Sequence, residues 1–336
     1  MKIKDFQIMN ALRSNDGDSQ IMITGGSFMK YCTLRDMYAS SIVMGCMRIA
    51  DKPLEQVEKV MVAAMGAGVN MFDLADVYGA GNSEKVFGVA IRDLGVNRKD
   101  YILQTKCGIH KDENGQIVLF DFSKEHILSS VESSLKRLNT EYIDILLLHR
   151  PDTLVEPEEV GEAFERLRDD GKVKAFGVSN FSATQMQLFR ASGIEIVANQ
   201  MQFSLGHTAP IDAGFNVNMY KDESVTRAGD VLEYSRLRNI PLQAWSPLQY
   251  GFFEGVFIGN EKFPILNAKL AEIAEKYNVT TTAIAFAWIL RHPAFKQAVT
   301  GTTNPQRMKE ICAAADITLT REEWYALYLA TGKILP

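Results

Sequence analysis

SIVMGCMRIADKPLEQVEKVMVAAMGAGVNMFD, residues 41–73, contains one complete strand–helix–strand unit. Its ends, SIVMG and VNMFD, are short apolar runs of the kind that strands buried on both faces require. Between them Leu54, Val57, Met61, Ala64 and Met65 fall on one helical face. Asp51 and Pro53 predict the start of that helix, as a cap and an early-turn proline. The alternation continues along the chain. Further strands are expected at YILQTK from Tyr101, IDILLLH from Ile143, VKAFGV from Val173, EIVANQ from Glu195, PLQAW from Pro241 and QAVTG from Gln297. Strands alternating with helices call for a parallel sheet, and the count of units fits an α/β fold of the (β/α)8 TIM-barrel type. An open doubly wound sheet is the structural rival, but its glycine-rich first turn, G-x-G-x-x-G, is missing from the sequence.

Composition narrows the function classes. The chain has 336 residues, with 36 Lys+Arg against 41 Asp+Glu, a net charge of −5, 46% hydrophobic and 23% charged residues. That balance is globular and offers neither the basic surface that nucleic acid needs nor a polybasic membrane motif. No apolar run is long enough to span a bilayer. The first twenty or so residues are too polar for a signal-peptide core. The expectation is a soluble, cytoplasmic protein without nucleic-acid or membrane partners. Cys32, Cys46, Cys107 and Cys312 form no C-x-x-C pair, and the five histidines form no H-E-x-x-H array. No dedicated metal site is expected from these spacings.

Three intervals are too long for ordinary connections: Gly108 to Phe122, Met201 to Arg227 and Ser246 to Phe263. Each follows a strand's C-terminal end, where a barrel carries its active-site loops. Tyr250, Phe252 and Phe253 suit a pocket wall better than a solvated loop. Ser182 with Gln185, and Thr320 with Glu323, are capping-box signatures, the second opening an extra C-terminal helix. Residues 1–28 read as an N-terminal extension or hairpin, with Gly25-Gly26 as its turn, and residues 29–336 as the barrel. A hairpin there would plug the barrel's N-terminal end.

Catalytic residues in such barrels come from the ends of different strands. Asp73, Lys106 and His149 end their strands, and Tyr78 lies just beyond Asp73. Singly, each has a plain explanation: a turn residue, a snorkelling lysine, a hydrogen-bonded core histidine, a packed tyrosine. Together they make a proton-delivery set. A tyrosine hydroxyl titrates near pH ~10 in water. A buried Lys106 beside Tyr78 favours the phenolate and is expected to pull that value down, against desolvation. Asp73 would keep Lys106 charged and fixed, and His149 would donate to a substrate oxygen or assist the tyrosine. Such a site suits an oxygen that gains charge as hydride arrives at carbon.

These residues lie in a series of motifs: FDLADVYGAGNSE (Phe72–Glu84), TKCG (Thr105–Gly108), LLLHRPD (Leu146–Asp152), GKVKAFGVSNF (Gly171–Phe181), ANQMQFS (Ala198–Ser204), AWSPL (Ala244–Leu248) and TNPQRMKEI (Thr303–Ile311). In that order the sequence resembles the aldo-keto reductase superfamily, and its tail resembles a bacterial branch of predicted oxidoreductases. The resemblance implies a barrel that binds a nicotinamide cofactor without a Rossmann domain and reduces an aldehyde or ketone to an alcohol. It also implies that Asp73, Tyr78, Lys106 and His149 are the catalytic tetrad, with Tyr78 as general acid.

Cofactor contacts follow by the same resemblance. Ser179, Asn180 and Gln200 match positions that hold the nicotinamide carboxamide, and Trp245 matches the aromatic on which its ring stacks. Gly45, Ser246 and Leu248 would contact the cofactor as well, the last two along the pyrophosphate. Thr302, Asn304 and Arg307 match positions near an adenosine 2′-phosphate, where the Arg307 fork suits phosphate. Many NADP-preferring relatives carry lysine where this chain has Gly301. NADP(H) is therefore the implied cofactor, with NAD(H) as the alternative. Met47, Tyr78, His149, Phe203 and Tyr250 are the candidate substrate contacts for a small carbonyl compound. Arg48 could meet an anionic substrate but reads more readily as an exposed arginine, and Cys46 and Cys107 read as residues near the mouth. The alternative function is a nicotinamide-cofactor-binding regulatory subunit of the channel-associated type. Oligomeric state is not legible in the sequence.

Overall fold

The computed structural model describes residues 19–22 and 28–336. The expected Gly25-Gly26 turn lies outside the described residues. Eight strands form a closed barrel: Ile42–Gly45, Met71–Asp73, Ile102–Cys107, Ile143–Leu148, Val173–Ser179, Asn199–Gln202, Leu242–Trp245 and Phe295–Thr300. Each pairs in parallel with its neighbours in chain order, and the eighth closes on the first through Thr300 opposite Met44. The doubly wound alternative is thereby excluded. All eight strands fall where the apolar runs predicted them, although EIVANQ enters the sheet only at Asn199.

Helices run back outside the sheet, and their caps explain where they begin. Leu54–Gly66 opens behind Pro53, which occupies the cap position itself. No side chain caps this helix, so Asp51 does not play the expected part. Ser182 and Thr320 both complete reciprocal capping boxes, with Gln185 and Glu323 respectively. The final helix, Arg321–Ala330, is seated by Trp324, whose ring lies 5.0 Å from that of Trp288 at 7°. Each of the two indole N–H groups donates to the other residue's backbone carbonyl at 3.0 Å.

A hairpin, Phe28–Leu34 with Met37–Ser40, covers the barrel's N-terminal end, and Ser19–Met22 adds a third antiparallel strand. Leu34 and Ala39 are fully buried against Val43, Met71, Ile145 and Val299, apolar residues of the barrel strands. The three long intervals also acquire structure of their own. The first folds into a hairpin (Ile109–Lys111 with Ile117–Phe120), the second contains the helix Ala209–Phe215, and the third a small hairpin (Gln249–Tyr250 with Gly255–Val256). Among the described residues, no helix is long and apolar enough to cross a membrane.

Candidate active site

The second strand ends at Asp73, and the chain then turns over the barrel mouth: Leu74 N donates to Gln104 O and Asp76 N to Lys106 O. A short 3-10 turn, Tyr78–Gly81, follows, with Gly79, Ala80 and Gly81 all at positive φ. Glycine is required at 79, because a Cβ there would come within 2.4 Å of the Ala50 Cβ. This turn sets Tyr78 over Lys106. The Lys106 ammonium, 1% exposed, lies 2.7 Å from both Asp73 oxygens and donates to Leu74 O at 2.7 Å and to Tyr78 Oη at 3.2 Å. The His149 ring meets Tyr78 edge-on, with centroids 5.8 Å apart. All four tetrad residues are thus in one cluster.

Electrostatics assign the protonation states. Burial by itself lowers Lys106, but the Asp73 carboxylate and the bond to Tyr78 outweigh it and leave the ammonium above its usual value. Burial pushes the Tyr78 hydroxyl up, and Lys106 only partly offsets this. The expected downward pull is therefore present but loses to desolvation, and Tyr78 holds its proton at neutral pH. Burial, aided by Lys106 and Arg150, holds His149 well below the ordinary imidazole range, so it is neutral. Its Nδ1 is buried with no hydrogen-bond partner.

Beneath the cluster lies a set of buried amides, of which the sequence reading singled out Gln200 but not Gln104, Gln243 or Gln297. Gln104 Nε2 donates to Asp73 Oδ1 at 2.6 Å and to Gln243 Oε1 at 2.9 Å. Gln200 Nε2 reaches the same two acceptors at 3.0 and 3.1 Å. Gln243 Nε2 donates to Gln104 Oε1 and Gln297 Oε1, and Gln297 Nε2 to Ser40 O in the plugging hairpin. The signal was a glutamine at an inward position within YILQTK, PLQAW and KQAVT, where an apolar strand leaves such a group nowhere to go except another polar side chain. Glu84, at the end of the first motif, is likewise structural. Fully buried, it accepts from Thr105 Oγ1 and Arg137 Nε, both at 2.6 Å.

A cavity of about 1360 Å³ opens above the tetrad at the strands' C-terminal ends. Gly45, Met47, Asp73, Tyr78 and His149 line its floor and near wall, with Lys106 buried underneath. Ser179, Asn180, Gln200 and Trp245 form a second wall, which Ser246 and Leu248 continue. That wall is internally bonded: Trp245 Nε1 donates to Asn180 Oδ1 at 2.9 Å, and Asn180 Nδ2 to Ser179 Oγ at 2.8 Å. Asn180 and Ser246 both adopt positive φ where the chain leaves its strand. Phe253 stacks near-parallel to Trp245 at 6.0 Å, and Phe252 lines the cavity beside it. Thr302 and Arg307 border both this cavity and a smaller one of about 370 Å³ that also takes in Arg48, Lys52, Gly301 and Asn304. The Asn304 side chain is engaged as a helix cap, accepting from Arg307 N.

Two expected substrate contacts lie elsewhere. Phe203 is fully buried, stacked on Phe295 at 4.1 Å and on Trp288 at 5.0 Å, because its strand turns it toward the helix layer. Tyr250 packs on Phe263 at 5.0 Å and meets Lys262 Nζ through its hydroxyl, outside the cavity wall. Cys46 and Cys107 are buried rather than at the mouth, and burial pushes both thiols up, which leaves them unreactive.

The aldo/keto reductase family model matches residues 41–328. A 6-dehydroglucose reductase of Agrobacterium fabrum is 35% identical over 304 residues, covering 88% of this chain and 95% of its own. A putative voltage-gated potassium channel subunit beta of Schizosaccharomyces pombe is 27% identical over 286 residues, 78% of this chain and 80% of its own. Among solved structures, the glycerol dehydrogenase AKR11B4 of Gluconobacter oxydans aligns with a TM-score of 0.72 at 25% identity, over 93% of this chain and 94% of its own. The chain belongs to the aldo/keto reductase family and is an oxidoreductase enzyme of that family.

Proposed function

We propose that the protein reduces an aldehyde or ketone to an alcohol with NADP(H), with Tyr78 as the general acid. The observation that carries this reading is the buried Asp73–Lys106–Tyr78 chain beside a neutral His149, opening into the large cavity. The cavity's chemistry suits a nicotinamide dinucleotide phosphate along its length: an aromatic plate at Trp245, amide and hydroxyl groups at Ser179, Asn180 and Gln200, and a cationic corner at Arg48, Lys52 and Arg307. When bound there, the cofactor supplies hydride to the carbonyl carbon.

The chain's own residues do the rest. Tyr78 keeps its proton until charge develops on the substrate oxygen, because burial disfavours the free phenolate. Lys106, held by two Asp73 oxygens, stands 3.2 Å from Tyr78 Oη and stabilises the phenolate as the proton leaves. Neutral His149 is free to donate to the same substrate oxygen. The amides of Gln104 and Gln200 fix Asp73 and so the whole line. Met47, Ile117, Phe120 and Phe252 give the outer cavity an apolar lining.

The test follows NADPH absorbance with a reactive aromatic aldehyde, wild type beside Tyr78→Phe. Turnover is expected to fall by about 10²–10⁴-fold with cofactor binding intact. Unchanged turnover in the variant would overturn the general-acid role. Cofactor binding without turnover in the wild type would instead favour the regulatory role implied by the kinship to channel β subunits.

A further inference from the structure

The hairpin after the third barrel strand carries a second cluster of chemistry-bearing side chains, separate from the tetrad. His110 stands in its first strand, Asp121 just past its second, and His126 in the first turn of the helix Lys124–Leu138. His110 Nε2 lies 3.4 Å and His126 Nδ1 3.9 Å from the same oxygen, Asp121 Oδ2. The three donor atoms all fall within 4.8 Å of one another. Both contacts are longer than the ~2.7–2.9 Å of a charge-assisted hydrogen bond, and His110 Nε2 is buried with no hydrogen-bond partner.

Two of the side chains are held by their other atom, which leaves the converging one free. Asp121 Oδ1 accepts from Ser123 N at 2.9 Å, and His126 Nε2 meets Ser130 Oγ at 3.2 Å. When His126 offers Nδ1 as a ligand, its proton sits on Nε2 and is donated to Ser130, an outer-shell bond of the kind that orients metal-binding imidazoles. The two imidazole rings are 4.3 Å apart between centroids, tilted at 40°.

We propose that His110 Nε2, His126 Nδ1 and Asp121 Oδ2 form a binding site for a divalent cation of the zinc class, with solvent completing the coordination. Zinc bonds of about 2.0–2.2 Å to nitrogen and oxygen place tetrahedral donors ~3.3 Å apart. The 3.4 Å pair already meets that spacing, the 3.9 Å pair needs a contraction of about half an ångström, and the two imidazole nitrogens, within 4.8 Å of each other, close by up to about 1.5 Å. Two imidazoles and one carboxylate suit Zn2+ better than the all-oxygen cations. A cation there ties the hairpin to the helix behind it. Because Ile109, Lys111, Ile117 and Phe120 of that hairpin line the main cavity, it also stiffens one cavity wall. The proposal is independent of the reading of the tetrad.

The test is calorimetric titration of ZnCl2 into the chelator-treated full-length chain. One equivalent is expected to bind at micromolar protein and to raise the unfolding midpoint by a few degrees. His110→Ala, His126→Ala and the isosteric Asp121→Asn should each weaken binding by at least about tenfold. His149→Ala should leave it unchanged, which separates this site from the cavity. Asp121→Asn keeps side-chain volume, so a loss in that variant, with its metal-free midpoint within a degree or two of wild type, is not misfolding. No binding, an undiminished equivalent in the three ligand variants, or a loss confined to His149→Ala would each overturn the site.

Discussion

Asp76, three residues beyond the tetrad aspartate, is a carboxyl with little to hold its charge. One of its oxygens is buried without a partner, and burial, with Glu84 nearby, pushes its pKa up to about 7. An unfolded aspartate titrates near ~3.9. Between those two values the folded chain binds more protons than the unfolded one, so stability is lost as pH rises through this window. Asp76→Asn removes the titration. Relative to wild type, the variant should gain stability progressively from pH ~4 to ~7 and then level off, by on the order of 4 kcal/mol. Urea unfolding at several pH values checks this, and a difference independent of pH would count against it. Lys106 faces the opposite situation. Its ammonium is fully buried, but every hydrogen has an acceptor among Asp73, Leu74 O and Tyr78. That contrast marks Lys106 as a placed charge and Asp76 as a strained one.

At the scale of elements, the first motif works as a joint, whatever the part its residues play in the proposed chemistry. The helix Asn82–Asp93 crosses the C-terminal end of Lys124–Leu138 closely enough that a Cβ on Gly88 would stand 2.6 Å from Leu138 O and 3.0 Å from Arg137 O. Backbone atoms cannot step aside as a side-chain tip can. Gly88→Ala should therefore destabilise by about 1–3 kcal/mol, even though alanine favours helix over glycine by ~1 kcal/mol. Thermal unfolding reads the sign directly: a rise in midpoint would mean the helices separate freely. The same helix presents Glu84 to Arg137 and Thr105, so the crossing ties the third strand's end to both helices. Capping boxes, the strand runs and the extra C-terminal helix were legible because each depends on residues a few positions apart. Asp51 failed as a cap because the backbone at Pro53 already begins the turn.

Across the whole molecule, closing the eighth strand on the first joins residues far apart in sequence. Arg48, just beyond the first strand, comes beside Gly301 at the end of the eighth, the Arg48 Cδ lying 3.9 Å from a Cβ at 301. With Lys52 and Arg307 it surrounds the smaller cavity. On the proposed reading, these cations do the work that a lysine at 301 does in NADP-preferring relatives. Removing one charged hydrogen bond costs about 1.5–3 kcal/mol, roughly ten- to a hundred-fold. Arg307→Ala is expected to raise the KM for NADPH by that factor and to leave the KM for NADH nearly unchanged. Arg48→Ala should move the ratio the same way. Equal changes for both cofactors in steady-state kinetics would remove the 2′-phosphate from the argument.

The sequence by itself determined the barrel and its family, because strand runs, helix faces and caps are local and the motifs recur in a fixed order. It also led to the expectation that Asp73, Tyr78, Lys106 and His149 share one place, since strand ends face the barrel mouth whatever the packing, and the four side chains do cluster there. Only the tertiary structure decided which side chains meet. It turned Phe203 into the helix layer and Tyr250 away from the cavity. It joined Gln104, Gln200, Gln243 and Gln297 beneath Asp73, and it raised the Tyr78 hydroxyl where a neighbouring lysine alone would lower it. The hairpin that brings His110 to Asp121 and His126 belongs to the same class. Burial and long-range contact are properties of the packed chain, and no spacing along the sequence encodes them.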